Sequence, residues 1–303
     1  MASITLPPIE GFFNHFITSQ FRTTCKPPPP TTNLTGQTAI ITGSYTGLGL
    51  AAAQVLLGLH LSHLIIAVRS VEKGEDAAST LQKAYPKAQI EVWALDMLSY
   101  DSIQAFARKC ETLPRLNIVI FNAGMAATKF EINPSTRHEK TFQVNYLSTA
   151  LLAILLLPIL KAKSPPGMPG RMTFVASALA WQAALPNKNS VPIFPTFDDP
   201  KGWNFAASSE RYAASKLMVL MLVFRLGNLI SPNDVIVNAV EPGLVGGTGL
   251  HRNASGAVVI ILKIMGALAA RTVQQGAYTY ADAAVVKGPE THGSFVVNFK
   301  IYP

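Results

Sequence analysis

Cysteine is nearly missing from this chain, with Cys25 and Cys110 the only two among 303 residues. A chain of this length buries enough apolar surface to fold without cross-links, so no disulfide framework is expected and a reducing compartment suits it. Charge is sparse too, at 14% of residues. The net charge of +8 comes from scattered Lys and Arg with no run of five, which argues against a nucleic-acid-binding patch. The histidines (His15, His60, His63, His138, His251 and His292) form no H-E-x-x-H and no Cys-paired cluster, so no metal site is expected. No charged n-region followed by an apolar h-region opens the chain, so the sequons Asn33-Leu34-Thr35 and Asn253-Ala254-Ser255 read as chance matches in a cytoplasmic protein. No G-x-S-x-G elbow occurs, which counts against a Ser-His-Asp hydrolase. The longest apolar stretches, Leu147 to Leu160 and Ala257 to Ala270, are interrupted by Pro158 and Lys263 and are too short to span a bilayer. The first is expected to be a buried core or subunit-interface helix.

What is plentiful is apolar: 49% of residues are hydrophobic, which suggests a large core and some exposed apolar surface. Residues 1–34 stand apart. Ile9, Phe12, Phe13, Phe16, Ile17 and Phe21 recur at helical spacing, and Pro27 to Pro30 then form a stiff polyproline linker. Such a stripe suits a helix packed on its own domain, with an in-plane helix in peripheral contact with a membrane and a flap over a substrate entrance as alternatives. From 35 to 303 short apolar runs alternate with longer helical segments, which predicts one domain of right-handed βαβ crossovers with a parallel sheet covered on both faces. Strands are expected near 38–42, 63–68, 89–94, 117–121, 171–176, 234–239 and 294–298. Two segments break the alternation, the proline-rich 181–208 and the stretch 244–270, which is first glycine-rich and then very apolar. Both follow the C-terminal ends of strands, where open α/β sheets bind ligands, and together they suggest an apolar substrate pocket under a lid.

The chemistry begins at the end of the first strand. Gly43-Ser44-Tyr45-Thr46-Gly47-Leu48-Gly49 joins an apolar run to an Ala-rich helical segment. Glycines allow the tight turn and let a pyrophosphate approach a helix N-terminus, whose free N–H groups and dipole favour negative charge. The spacing is T-G-x-x-x-G-x-G, not G-x-G-x-x-G. Downstream, in order, come Asn122-Ala123-Gly124, Asn145, Ser177, Tyr212-Ala213-Ala214-Ser215-Lys216 and Pro242-Gly243. On these motifs the chain from about Leu34 onward resembles the short-chain dehydrogenase/reductase family, and within it the retinol-dehydrogenase-like and fungal secondary-metabolite reductases.

The resemblance implies a single Rossmann-like, doubly wound α/β domain of about seven strands that binds a nicotinamide dinucleotide, often in two- or four-subunit assemblies. It also implies a catalytic tetrad of Asn145, Ser177, Tyr212 and Lys216, in which Ser177 holds the substrate oxygen, Lys216 holds the nicotinamide ribose and Asn145 supports a water relay. Asp96, followed by Met97, matches the family aspartate that bonds the adenine, and Val245 follows Pro242-Gly243 beside the cofactor. Ile65-Ile66-Ala67-Val68 ends in Arg69 with no acid before Glu72, so Arg69 reads as a 2′-phosphate clamp and NADP(H) is favoured over NAD(H). Tyr212 and Lys216, at i and i+4, share a helix face, where an ammonium together with a cationic nicotinamide is expected to lower the tyrosine's pKa toward neutrality.

The expected activity is therefore hydride transfer between NADP(H) and a carbonyl or alcohol of a hydrophobic small molecule, such as a polyketide- or terpenoid-like metabolite. A non-redox cyclase, isomerase or dehydratase on the same scaffold and a non-enzymatic NADP(H)-binding regulator are the alternatives. Three residues depart from the common pattern: Tyr45 in the glycine loop, Phe121 before Asn122, and Glu241 before Pro242. Tyr45 is the one that bears on cofactor affinity.

Overall fold

The computed structural model describes residues 11–247 and 269–302. The apolar runs become strands β1 (Thr38–Thr42), β2 (His63–Val68), β3 (Gln89–Ala94), β4 (Ile118–Phe121), β5 (Gly170–Val175), β6 (Val235–Val240) and β7 (Ser294–Val297). All pair in parallel in the order β3-β2-β1-β4-β5-β6-β7. The order reverses between β1 and β4, and such switch points open a crevice at the C-terminal edge of the sheet. Helices are α1 (Phe12–Ile17), α2 (Gly47–Gly58), α3 (Val71–Ala84), α4 (Tyr100–Glu111), α5 (Lys140–Lys163), α6 (Phe205–Leu229) and α7 (Val273–Ala281).

Alternation along the strands builds a core on each face. Ile40, Ile65, Val119, Phe174 and Val237 pack with Ile103 and Phe106 of α4, Leu152 and Leu156 of α5, and Val219 and Val223 of α6. Ile41, Leu64, Ile66 and Ile120 pack with Ala52 and Leu56 of α2, Leu81 of α3, and Ala277 and Tyr280 of α7. This is the doubly wound Rossmann-like arrangement expected from the alternation.

The sheet has eight strands, not about seven. The additional strand, β8 (Lys300–Tyr302), pairs antiparallel with β7 at the edge. A two-residue turn makes it: Asn298 and Phe299 both adopt positive φ, 51° and 64°, while Val297 faces Lys300. That backbone is the one that a tight hairpin needs, but Phe is a poor signal for it.

Two further expectations change. The helix around Leu147 runs for 24 residues because Lys140 to Tyr146 and Lys161 to Lys163 extend it. It and α6 are each long and apolar enough to cross a membrane by length and composition alone, yet Leu152, Leu156 and Leu160 are fully buried on the sheet as a core helix requires. The N-terminal helix packs on its own domain, but through its polar face. His15 and Ser19 are buried while Phe13 and Phe21 are 74% and 58% exposed. Its docking surface supplies a carboxylate and a guanidinium to the polar side, while Phe12, Phe16 and Ile17 of the apolar stripe are half-buried.

Segment 181–208 folds as short helical turns over the start of α5. Phe197 stacks on Phe142 at 4.2 Å, and Phe194 meets the same ring edge-on. Glu210 accepts from the amides of Ala184 and Leu185, Trp203 donates to the Thr128 carbonyl, and Arg211 donates to that of Phe197. The expected lid 244–270 lies outside the described residues except for 244–247 and 269–270, and so do Ile9, His251, the Asn253 sequon and most of the stretch from Ala257.

Candidate active site

The glycine loop leaves β1 at Gly43, with φ of 68°, a conformation that disfavours any side chain. Ser44 is buried and donates to the Ile41 carbonyl at 2.7 Å, which tightens the turn. Thr46 precedes α2 without capping it, and no acidic residue sits in the first turn. The amides around Gly47, Leu48 and Gly49 therefore form a free helix N-terminus suited to an anion. Gly49 is required by packing: a Cβ there would stand 2.6 Å from Asn122 Nδ2 and 2.8 Å from the Gly43 oxygen. Tyr45 is half-buried, its ring laid against the α2-side core.

Asn122 clamps this loop. Its Nδ2 donates to the carbonyls of Thr42 and Gly43 at 2.8 and 3.1 Å, and its Oδ1 accepts from the buried Tyr280 hydroxyl at 3.1 Å. The Ala123 amide donates to Thr42 Oγ1 at 2.9 Å. Burial pushes the Tyr280 phenol well above its ordinary pKa, so it acts as a fixed donor. Asp96 accepts from the Leu98 amide through one oxygen, and the Met97 carbonyl accepts from Ser148 Oγ. Arg69 is exposed at the end of β2, with no hydrogen bond or ion pair among the described residues. On the other side of the crevice Pro242, Gly243 and Val245 follow β6. Val245 and Leu48 both crowd Gly276 of α7, where a Cβ would lie 2.9 and 2.5 Å from them, so the two loops meet on that helix.

The four predicted catalytic residues reach the same end of the sheet from α5, the loop after β5, and α6. Asn145 sits in a π turn, Gln143–Leu147, inside α5. Such turns re-aim a side chain without ending a helix. Asn145 accepts from the Met125 amide at 2.8 Å and donates to the Met125 carbonyl at 2.9 Å and to Ser215 Oγ at 3.0 Å. Gly124 lies between it and Lys216: a Cβ there would be 3.3 Å from Asn145 Oδ1 and 3.5 Å from Lys216 Nζ. Lys216 is buried, donates to the Val175 carbonyl at 2.7 Å, and places Nζ 5.8 Å from the Tyr212 ring centre. Ser177 caps the turn Ala178–Gln182 by accepting from the Leu179 amide, and its hydroxyl interacts with Tyr212.

The expected lowering rests on an ammonium together with a cationic nicotinamide; among the protein's own groups, burial is the largest influence. Burial pushes the Tyr212 phenol up to about 12, a rise that Ser177 only partly opposes. Burial also pushes the Lys216 ammonium down to about 8. Desolvation is the largest cause for both groups.

Several contributors escaped the sequence reading. Thr42 had a signal, as the T of the T-G step. Ser215 and Tyr280 had none, because their roles depend on groups 70 and 158 residues away. Glu241, noted only as a departure, pairs with His15.

A family profile described as short chain dehydrogenase matches residues 37–187. A short chain dehydrogenase/reductase of Annulohypoxylon moriforme is 51% identical over 306 residues, covering 100% of this chain and 88% of that one. A short chain dehydrogenase of Penicillium oxalicum is 44% identical, covering 97% of this chain and 96% of that one. The chain belongs to the short-chain dehydrogenase/reductase family. Among solved structures, a putative NAD(P) dependent gluconate 5-dehydrogenase from Beutenbergia cavernae with bound NADP superposes with a TM-score of 0.67 at 20% identity, over 88% of this chain and 96% of that one. A short-chain dehydrogenase from Sphingobium yanoikuyae in complex with NADPH gives 0.60 at 19% identity, over 80% and 81%. At these identities the structures bear on the fold.

Proposed function

We propose that this protein is an NADP(H)-dependent oxidoreductase acting on the carbonyl or alcohol group of a hydrophobic small molecule. The observation that carries the reading is the meeting of Asn145 and Lys216 at Gly124, with Tyr212 and Ser177 beside them, at the sheet edge where the glycine loop opens α2. The dinucleotide, when bound, supplies or accepts the hydride. The residues present fit such a group: an uncapped helix N-terminus for its pyrophosphate, a cradle at Gly49 that a Cβ would fill, and an exposed Arg69, without a partner among the described residues, for a 2′-phosphate. Asp96 suits the adenine, and Lys216 the nicotinamide ribose.

Ser177 Oγ orients the substrate oxygen beside Tyr212. Tyr212 gives its proton to that oxygen in reduction and takes one back in oxidation. With its pKa pushed up to about 12, Tyr212 keeps its proton at neutral pH and serves naturally as the acid. Lys216, still mostly an ammonium at pH 7, stabilises the phenolate left after transfer. An apolar residue beside Ser177 supports an apolar substrate, such as a polyketide- or terpenoid-like compound: Leu179, whose amide donates to Ser177 Oγ, is 41% exposed. Ile154 on α5 and Met221 and Phe224 on α6 are also exposed, which supports pairing of two copies through these helices.

Tyr212→Phe tests the mechanism. Turnover of NADPH with an apolar ketone should fall by at least about 100-fold, the lower range for loss of a general acid, while NADPH binding persists. Retained turnover would remove Tyr212 from the chemistry.

A further inference from the structure

The groups suited to the adenosine and pyrophosphate of the dinucleotide follow β1 to β4: the glycine loop, Arg69, Asp96 and Asn122. The other half of the crevice, over β5 to β7, carries a different element, the N-terminal helix α1 and the π turn Thr18–Arg22 that continues it. His15 Nε2 meets Glu241 Oε2 at 3.2 Å, with the two side chains 5% and 8% exposed. The His15 ring packs edge-on against Trp181 at 4.8 Å, and Trp181 packs in the same way on Phe295 of β7 at 5.5 Å. Trp181 belongs to the turn that Ser177 caps.

One helical turn on, Ser19 is 1% exposed and its carbonyl accepts from Arg271 Nη2 at 2.7 Å. The same guanidinium donates to the Pro242 carbonyl at 2.9 Å and to Asn298 Oδ1 at 2.7 Å. Gln20, with its amide oriented to match its surroundings, donates to the carbonyls of Leu244 and Ala269 at 3.2 and 2.9 Å and accepts from the Leu244 amide at 3.1 Å. One short segment thus touches the loop after β5, holds the loop after β6 at both of its described ends, and reaches the turn after β7 through Arg271.

A buried hydrogen-bonded pair of polar side chains adds little net stability, but it fixes one geometry. Here that geometry lies against Trp181, in the turn that Ser177 caps, and next to Pro242-Gly243. A substrate whose oxygen sits between Ser177 and Tyr212 has its remaining atoms on this half of the crevice. We propose that residues 11–22 form a wall of the substrate site, a specificity-determining element locked in place by His15–Glu241 and by the Gln20 bridge between Leu244 and Ala269. The wall assignment rests on the proposed oxidoreductase reading. The anchoring of the β6 loop does not.

The test compares the full chain with His15→Ala and with His15→Gln, whose amide can still donate to Glu241. The probe is 9,10-phenanthrenequinone, with NADPH oxidation and NADPH binding measured in parallel. His15→Ala should raise KM for the quinone by about tenfold or more, a larger factor than any loss of NADPH affinity, with kcat within about twofold, the signature of lost substrate binding, and His15→Gln should recover most of it. An unchanged KM, or a KM that rises only in step with lost NADPH affinity, overturns the wall. If the wild-type protein oxidises no NADPH with the quinone, the oxidoreductase reading is what has failed. Hydrogen exchange still tests the anchoring: the Gly246 and Arg271 amides, which bond across the loop ends, should exchange faster in His15→Ala. Unchanged exchange would show that α1 does not hold the loop.

Discussion

Replacing Lys216 with Met should make the protein more stable and far less active. Burial pushes the lysine from 10.5 down to about 8, so at pH 7 the folded protein carries a desolvated ammonium that the unfolded chain keeps in water. That drop corresponds to roughly 3 kcal/mol, at about 1.4 kcal/mol per pKa decade. Methionine fills a similar volume and suits a helix. It leaves the Val175 carbonyl without its donor, which returns about 1–3 kcal/mol. The net expectation is a gain of about 1 kcal/mol, or a few degrees in Tm for a chain of this size.

The sign has its own pH signature. The folded pKa lies below the unfolded one, so the lysine's penalty is fully present below pH 8 and disappears as pH rises toward 10.5. Wild-type stability should therefore climb relative to Lys216→Met across that window. Cys110, pushed up to about 12 by burial, contributes a slope of the opposite sign that is common to the two proteins and cancels in the difference, and Tyr212's contribution falls between pH 10 and about 12, above the range measured. Urea unfolding from pH 7 to 10, followed by tryptophan emission, gives the difference curve. A Met variant clearly less stable at pH 7, or a difference that does not move with pH, would refute the reasoning.

Two other perturbations follow from the geometry. Gly49→Ala places a methyl within 2.8 Å of the Gly43 oxygen and against the Asn122 amide, and should cost about 1–3 kcal/mol by urea unfolding and weaken NADPH binding. Ile154→Glu, at a 57% exposed position on α5, should leave the fold intact by circular dichroism and lower the assembled mass in light scattering, as pairing of copies through α5 and α6 requires.

Much of this molecule was legible because its signals are local. Each parallel strand is a short apolar run, and the tetrad sits in motifs whose order can be read without coordinates. What escaped depended on distant partners. The helix at Phe12–Ile17 advertises a phenylalanine stripe, yet it is positioned by His15 and Ser19, whose partners Glu241 and Arg271 lie 226 and 252 residues away. Glu241 looked like an odd residue before Pro242-Gly243 until that partner was visible. The eighth strand was hidden because Phe299 adopts a conformation that its side chain does not announce. Spacing puts Lys216 on the helix face of Tyr212 but says nothing of the burial that raises the phenol's pKa.

The central claim is that this edge holds NADP(H) with Arg69 reading the 2′-phosphate. It is tested most directly by titrating the purified protein with NADPH and, separately, with NADH, following nicotinamide fluorescence. The account predicts saturable NADPH binding, with NADH weaker by roughly tenfold or more, as loss of a charge-assisted contact implies. Equal affinity for the two would take Arg69 out of the site, and no binding of either would contradict the dinucleotide reading of the glycine loop.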